Sequence, residues 1–151
     1  MVKGIFETHL NVANYLESAK FYEQLPGLES LHIDHKRKSS FFWVGGKGKG
    51  MLGIRENYPS SQIQRQHFAF EVEENQLFSI REELETKGIQ TENFYGDDSG
   101  DLYVFTFMPA VSFYVTDPNG HSIEYLAMLD KKIDEEKYGE IIPYKKYCSL
   151  L

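Results

Sequence analysis

Two segments of this chain repeat one pattern, and a duplicated unit restricts the possible folds more than any other feature of the sequence. Residues 6–12 have the sequence FETHLNV, and residues 66–72 have the sequence QHFAFEV. Both alternate apolar and polar residues, which is the pattern of a half-buried strand. Each segment carries a histidine on its more polar face, His9 in the first and His67 in the second. The sequence therefore predicts two copies of one unit, each opened by a strand with a histidine.

A helix is predicted after each of these strands. The first begins near Asn14, a good N-cap residue, with Glu17 three positions on, and Pro26-Gly27 ends it. The second begins near Asn75 and ends at Gly88, a suitable C-terminal cap. Its apolar residues recur at helical spacing, at Leu77, Ile80 and Leu84.

Three strand-like segments follow each helix. In the first half they are residues 28–33, 40–44 and 51–54, and in the second half they are 89–94, 111–116 and 121–128. A strong turn signal, Asp117-Pro118-Asn119-Gly120, joins the last two segments. The second half also has an insertion, residues 95–109, for which we expect a mobile loop or an extra hairpin. Each half is therefore predicted to be β-α-β-β-β.

The predicted fold is a single α+β domain over residues 1–151, made of two tandem βαβββ modules. Module one spans about residues 4–58 and module two spans about residues 65–128. A charged tail, residues 129–151, follows the second module, and residues 131–138 within it could form a short helix.

Composition limits the classes of partner. The formal net charge is -7, and the one basic cluster, Lys36-Arg37-Lys38, is short, so we predict no nucleic-acid partner. No apolar run reaches the length of about 18 residues that a membrane helix needs, so we predict no membrane partner. The chain opens without a signal-peptide pattern and has a single cysteine, Cys148. We therefore expect a cytoplasmic protein without disulfides.

One acidic residue lies on a strand that should be buried. Glu124 stands between Ile123 and Tyr125 in the last predicted strand, and burying a carboxylate is costly unless it is paired or metal-bound. A pseudosymmetric fold would bring the strands of His9 and His67 together. Two imidazoles and one carboxylate form an open three-ligand site for a divalent metal.

Each of these residues also has an ordinary structural interpretation. A strand histidine is more often a satisfied polar side chain than a metal ligand, and Glu124 could be an edge-strand residue that faces water. His121 follows a turn glycine, and we expect it to shape the turn. The matching positions of His9 and His67 in the two repeats favour the metal site.

The duplicated βαβββ pattern, the two strand histidines and the DPNGHSIE sequence of residues 117–124 resemble the vicinal-oxygen-chelate superfamily. This group includes glyoxalase I, fosfomycin-inactivating thiol transferases, extradiol dioxygenases and bleomycin-resistance binding proteins. The resemblance covers about residues 4–128 and implies a cupped mixed sheet in each module around a shared metal cavity. It implies homodimers, and it implies that His9, His67 and Glu124 bind one divalent ion, either Zn, Ni, Mn or Fe.

The chain departs from glyoxalase I at one position. That enzyme uses a further glutamate ligand in the last strand of its first half, where it also transfers protons. An alignment of the two halves puts this position at or next to Gly53, where there is no carboxylate. A mechanism that needs a positioned base there is therefore disfavoured.

The pattern of two histidines and one glutamate is closer to the fosfomycin-modifying transferases. Tyr114 matches a pocket tyrosine of that group, and Asn11 stands where a threonine is usual. The loop of residues 105–110 is apolar and lacks the basic residue that a phosphonate requires. We therefore predict a substrate pocket with Asn11, Tyr114 and Phe107 that suits an apolar or aromatic substrate.

The predicted function is a metal-dependent lyase, isomerase or thiol transferase that binds a small substrate through two adjacent oxygens. A thiol cosubstrate stays an open alternative. The main competing hypothesis is a metal-independent binding protein of the bleomycin-resistance type, which the high aromatic content of 15% also fits. A second is a protein that a metal stabilises but that has no chemistry of its own.

Overall fold

The computed structural model describes all residues from Met1 to Leu151, and the chain divides into two compact units. Unit 1 comprises Met1–Gln66 together with Asp117–His121. Unit 2 comprises His67–Thr116 and Ser122–Leu151. None of the helices is long and apolar enough to cross a membrane.

Unit 1 confirms the predicted order β-α-β-β-β. Its elements are β1 (Glu7–Val12), α1 (Tyr15–Tyr22), β2 (Leu28–Asp34), β3 (Ser39–Val44) and β4 (Met51–Glu56). The four strands form one sheet in the order β1-β4-β3-β2. Strand β1 runs parallel to β4, and the other neighbouring strands are antiparallel.

Local signals position α1 and β1 as the sequence predicts. The Asn14 side chain accepts the backbone N–H groups of Leu16 and Glu17, which caps α1. One face of β1 is buried, with Leu10 and Val12 almost inaccessible. Because side chains alternate along a strand, His9 lies on the opposite face, where it is half exposed. The hydrophobic core of the unit thus fixes the direction in which His9 points.

Unit 2 has the same order with an addition at its end. Its elements are β5 (His67–Glu71), α2 (Glu74–Thr86), β6 (Tyr103–Phe105), β7 (Ala110–Thr116), β8 (Ser122–Met128), α3 (Glu135–Tyr138), β9 (Ile141–Pro143) and α4 (Tyr144–Ser149). The five strands form a sheet in the order β5-β8-β7-β6-β9, with β5 parallel to β8. Both sheets are open, and the two mixed sheets confirm the predicted fold class.

The prediction of a strand at residues 89–94 is wrong. Only one isolated bridge forms there, between Glu92 and Tyr114. The third strand of the unit is β6, which lies inside the expected insertion and forms an antiparallel hairpin with β7. Asn93 is buried, and its amide donates to Asp97 Oδ1 at 2.7 Å and to the Asp101 carbonyl at 3.0 Å. These bonds hold the backbone in a loop and prevent it from extending a strand.

The second helix begins slightly earlier than predicted. Its N-cap residue is Glu73, which makes no side-chain capping hydrogen bond, and Asn75 lies within the first turn. The predicted apolar face is confirmed, because Leu77 and Leu84 are fully buried.

The C-terminal tail is more ordered than the sequence indicates. Helix α3 occupies only the second half of the predicted short helix. Strand β9 then pairs antiparallel with β6, so that it covers the edge of the sheet. Tyr147 of α4 is buried, and its hydroxyl donates to the Lys131 carbonyl at 2.7 Å.

Candidate functional site

Two of the predicted ligands meet in unit 2. Strands β5 and β8 run parallel, with His67 opposite Ser122 and Ala69 opposite Glu124. His67 and Glu124 therefore project from the same face of the sheet. The Nε2 atom of His67 lies 3.0 Å from the Oε2 atom of Glu124. Glu124 is buried, with 5% of its surface exposed, and such a carboxylate needs a partner.

The hydrogen bonds of His67 are compatible with either position of the ring hydrogen. Its Nδ1 atom lies 3.1 Å from the Ser122 carbonyl oxygen and 3.2 Å from the Ser122 hydroxyl oxygen. With the hydrogen on Nε2, the ring donates to Glu124, and Nδ1 accepts from the Ser122 hydroxyl. With the hydrogen on Nδ1, the ring donates to the carbonyl, and Nε2 faces the Glu124 oxygen as a second acceptor that a cation would join to it.

The second oxygen of Glu124 is held by a tyrosine. The hydroxyl of Tyr114 donates to Glu124 Oε1 at 3.0 Å. Burial raises the pKa of Tyr114 to about 12, with the charge of Glu124 adding to the effect and a hydrogen bond from Ser112 opposing it. Tyr114 therefore stays a neutral donor near pH 7. Its bond fixes the carboxylate and leaves Oε2 facing His67.

A cavity of about 540 Å³ opens beside His67 in unit 2. Tyr114 lines it together with Phe94 and Tyr95, so one wall is aromatic. Phe107, the third predicted pocket residue, lies in the β6–β7 turn and packs against Phe105 with ring centroids 5.9 Å apart. It is exposed and does not line this cavity.

The third predicted ligand lies in unit 1. His9 projects from β1 beside Gly53 of β4, its register partner. A Cβ atom at Gly53 would lie 2.9 Å from two atoms of the His9 ring, so only glycine leaves room for the imidazole in this position. The Nε2 atom of His9 lies 3.4 Å from Glu7 Oε2.

The strand register corrects the alignment of the two halves. Glu124 lies two residues beyond the register partner of His67, opposite Ala69. In unit 1 the register partner of His9 is Gly53, and the residue two positions beyond it is Arg55, opposite Asn11. The position that matches Glu124 in unit 1 is thus occupied by a guanidinium. The conclusion that no carboxylate stands there is unchanged.

The donor set of unit 2 fits a divalent metal. An imidazole nitrogen and a carboxylate oxygen are ordinary ligands of zinc and of similar ions. Metal-binding histidines commonly donate their other N–H to a backbone carbonyl, and the Ser122 carbonyl oxygen lies 3.1 Å from Nδ1 of His67. No group of three or more His, Cys, Asp or Glu side chains is arranged to hold a metal. The three-ligand set with His9 stays a prediction.

Asn11 lines a second cavity, of about 690 Å³, in unit 1. Its amide is already engaged, because Nδ2 donates to the Ser60 carbonyl at 2.8 Å and Oδ1 accepts the Tyr58 N–H at 2.9 Å. Asn11 therefore shapes the wall of the cavity by holding the loop that follows β4. Sequence analysis did not single out Arg55 and Tyr58, which line the same cavity.

His121 has a larger structural role than shaping a turn. It is fully buried. Its Nδ1 accepts the N–H of Gln66 at 3.0 Å, and its Nε2 lies 2.7 Å from the carbonyl oxygen of Asn11. Nε2 therefore carries the hydrogen. His121 thus connects the strand of His9 with the residue that precedes His67.

A family model described as Glyoxalase/Bleomycin resistance protein/Dioxygenase superfamily matches residues 4–125. The chain belongs to this superfamily. This assignment confirms the vicinal-oxygen-chelate resemblance, and it agrees with two βαβββ units that each open with a histidine-bearing strand.

Three solved structures illustrate the proteins to which this chain is similar in fold. An integron cassette protein from the mobile metagenome of the Halifax Harbour sewage outfall is 35% identical, with a TM-score of 0.69, and the match covers 84% of this chain and 100% of that one. A lactoylglutathione lyase from Agrobacterium tumefaciens is 22% identical, with a TM-score of 0.64 and coverage of 83% and 94%. A fosfomycin resistance protein from Listeria monocytogenes is 18% identical, with a TM-score of 0.59 and coverage of 83% and 91%. The last two show similarity of fold.

Proposed function

We propose that this superfamily member is a metal-dependent enzyme that acts on a small oxygenated substrate. His67 and Glu124 bind a divalent ion, and His9 is the third ligand. The observation that carries the proposal is the approach of Nε2 of His67 to Oε2 of the buried Glu124, 3.0 Å apart in unit 2. A bound ion would accept a lone pair from both atoms at once.

Neighbouring residues hold the His67 and Glu124 side chains in an orientation that suits a bound ion. The Ser122 carbonyl orients the His67 ring, and the Tyr114 hydroxyl fixes the Glu124 carboxylate. When bound, the ion would polarise two adjacent oxygens of the substrate as a Lewis acid. The aromatic wall beside His67 suits an apolar or aromatic portion of such a molecule.

Arg55 occupies the position at which a glyoxalase I mechanism needs a carboxylate, and this limits the reactions that the site can catalyse. An isomerisation of the glyoxalase I type needs a carboxylate that accepts a proton at this point, and a guanidinium accepts none. We therefore propose a lyase or a transferase, with a thiol as a candidate cosubstrate. We further propose a homodimer, as the family resemblance implies, and a cytoplasmic location.

Metal titration tests this function. Chelator-stripped protein is titrated with Zn, Ni, Mn and Fe(II), for the wild type and for His9→Ala, His67→Ala and Glu124→Gln. Glu71→Gln is the matched control, because Glu71 is an exposed carboxylate on the same strand as His67. We expect stoichiometric binding in the wild type and in the control, and loss of binding in the other three. A wild type that binds no metal would contradict the proposal.

The aromatic wall favours one alternative, a binding protein that sequesters aromatic compounds without a metal. Phe94 and Tyr95 pack edge to face with ring centroids 5.1 Å apart, and both line the cavity beside His67. In that case an aromatic ligand would bind equally well in the presence of a chelator, and Glu124→Gln would leave its affinity unchanged.

A further inference from the structure

The cavity of unit 1 has an unusual electrostatic character for this protein. No aspartate or glutamate lines it, whereas Arg37, Arg55 and His9 do. The chain as a whole is acidic, with 23 Asp and Glu residues and a net charge of -7. This cavity therefore has guanidinium groups and no carboxylates in its lining, although the protein is acidic. Such a lining favours an anionic ligand.

The two arginines of this cavity differ in their partners. Arg37 Nη1 lies 2.8 Å from Asp34 Oδ2, so its charge is already paired. Arg55 makes no ion pair or hydrogen bond through its guanidinium. The neighbouring carboxylate, Glu56, is instead paired with Lys38 at 3.4 Å and accepts the Tyr15 N–H. One guanidinium in the cavity therefore lacks an anion.

The unpaired guanidinium is held in place by an aromatic ring. The Cζ atom of Arg55 lies 3.7 Å from the centroid of the Tyr58 ring, a stacking distance. Arg55 is half buried, and the loop that carries Tyr58 is fixed by Asn11. A stacked guanidinium presents its planar fork of N–H donors, which matches one carboxylate.

The other residues that line the cavity indicate the chemical character of the rest of the ligand. Phe41 and Ile63 line the cavity with the Tyr58 ring. Arg55 lies opposite Asn11 in the register, two residues along β1 from His9, so Arg55 and His9 share one face of the sheet. A molecule whose carboxylate lies on Arg55 would extend over apolar and aromatic side chains toward the imidazole.

We infer that Arg55 is the carboxylate-binding and specificity-determining residue, and that the substrate is an aromatic carboxylate with a second oxygen next to its carboxyl group. This inference rests on the proposed function, because His9 of this cavity is a proposed ligand of the ion, and the carboxyl group with its neighbouring oxygen would supply the two adjacent oxygens that the ion polarises. A single unpaired guanidinium matches a monoanion better than a phosphonate, which carries more charge.

Calorimetric titration with three probe molecules tests the assignment. Salicylate carries a carboxylate beside an oxygen, salicylamide is its neutral counterpart, and phenylphosphonate carries the alternative anion. Each is titrated into wild type, Arg55→Met, Arg55→Lys and Lys47→Met. The last removes the same charge from an exposed site outside the cavity. Every titration is made with zinc and with a chelator, and thermal unfolding verifies that each variant is folded.

We expect wild type to bind salicylate about tenfold more tightly than salicylamide. Arg55→Met should raise the Kd for salicylate about tenfold and leave that for salicylamide unchanged. Arg55→Lys should restore part of the affinity, and Lys47→Met should match wild type. Wild type that fails to bind salicylate, equal binding of salicylate and salicylamide, or tighter binding of phenylphosphonate would overturn the inference.

The same titrations separate this inference from the proposed function. If the metal site is wrong, zinc will fail to change salicylate binding, but the loss in Arg55→Met will persist in the presence of chelator. If only Arg55 is misassigned, stoichiometric zinc binding will remain while Arg55→Met binds salicylate as wild type does.

Discussion

The Nε2 atom of His67 faces Oε2 of Glu124 at 3.0 Å, while Nδ1 of the same ring lies 3.1 Å from the Ser122 carbonyl. The Ser122 hydroxyl oxygen lies 3.2 Å from the same Nδ1 atom. With the hydrogen on Nδ1, the ring donates to the carbonyl and its Nε2 lone pair faces the carboxylate. An ion bound by Nε2 requires this tautomer, so the position of the hydrogen tests the proposed metal centre.

Substitution of Tyr114 by phenylalanine should weaken metal binding. The change removes the O–H that holds Glu124 Oε1 and leaves this buried oxygen unpaired. Loss of a residue that supports a metal ligand typically costs about 10- to 100-fold in metal affinity, and we expect a loss in stability of about 1 kcal/mol. Metal titration and urea unfolding measure the two effects. Tyr95→Phe, an exposed tyrosine of the same cavity, is the control and should change neither.

The Tyr114 hydroxyl should lose its proton at a higher pH than an exposed tyrosine does. Burial, with the charge of Glu124, raises the pKa of Tyr114 from 10.0 to about 12 in the folded protein. A group whose pKa is raised on folding stabilises the fold fully below its unfolded pKa, and this contribution is lost as pH rises through the folded value. The stabilisation is therefore complete below about pH 10, and it falls away toward pH 12.

The difference in phenolate absorbance between wild type and Tyr114→Phe tests this value. It should develop near pH 12. A midpoint near pH 10, the value for an exposed tyrosine, would show that Tyr114 is not buried beside the carboxylate.

His121 should contribute mainly to stability. Its replacement by phenylalanine leaves the Gln66 N–H and the Asn11 carbonyl without their buried partner. Two such losses are expected to cost about 2 to 4 kcal/mol in the free energy of unfolding. Urea unfolding measures this cost. His35→Phe serves as the comparison, since His35 is exposed and contacts only Tyr15 through its ring nitrogen. Its effect should stay within about 0.5 kcal/mol.

Gly53→Ala should displace the His9 ring. The new Cβ would lie 2.9 Å from two ring atoms, so the imidazole has to move. We expect weaker metal binding, and because the half-exposed ring can turn toward solvent we expect a loss in stability of at most about 1 kcal/mol. The double variant Gly53→Ala/His9→Ala should recover most of that stability, because the clash is with the ring itself. If the double variant is as unstable as Gly53→Ala, the strain has another source.

The sequence predicts the fold wherever a periodic pattern coincides with a turn or a cap. The alternation around His9 predicts β1, and Asn14 with Glu17 predicts the start of α1. The pattern fails at residues 89–94, where the buried amide of Asn93 engages Asp97 and Asp101. Such bonds depend on residues that follow later in the chain, so local periodicity does not reveal them. Three-residue strands such as β6 and β9 are too short for a periodic signal.

The candidate site shows the same limits. Repeat matching selects His67, and the burial of Glu124 follows from its apolar neighbours Ile123 and Tyr125. The structure adds the 3.0 Å approach of the pair and the hydroxyl of Tyr114. Arg55 was missed because an alignment of short strands does not fix the register, whereas pairing with Asn11 does. Arg55 is identified when the residue two positions beyond the register partner of each histidine is compared between the two units.

The most direct test of the metal centre is the imidazole ¹⁵N resonance pattern of His67, recorded by NMR on chelator-stripped protein and again after addition of zinc. The His67→Gln variant assigns the signals. We predict a hydrogen on Nδ1 once zinc is bound, and a shift of the Nε2 signal that saturates at one zinc per chain. A hydrogen that stays on Nε2 after zinc is added, or an Nε2 signal that zinc leaves unchanged, would contradict the proposed metal centre.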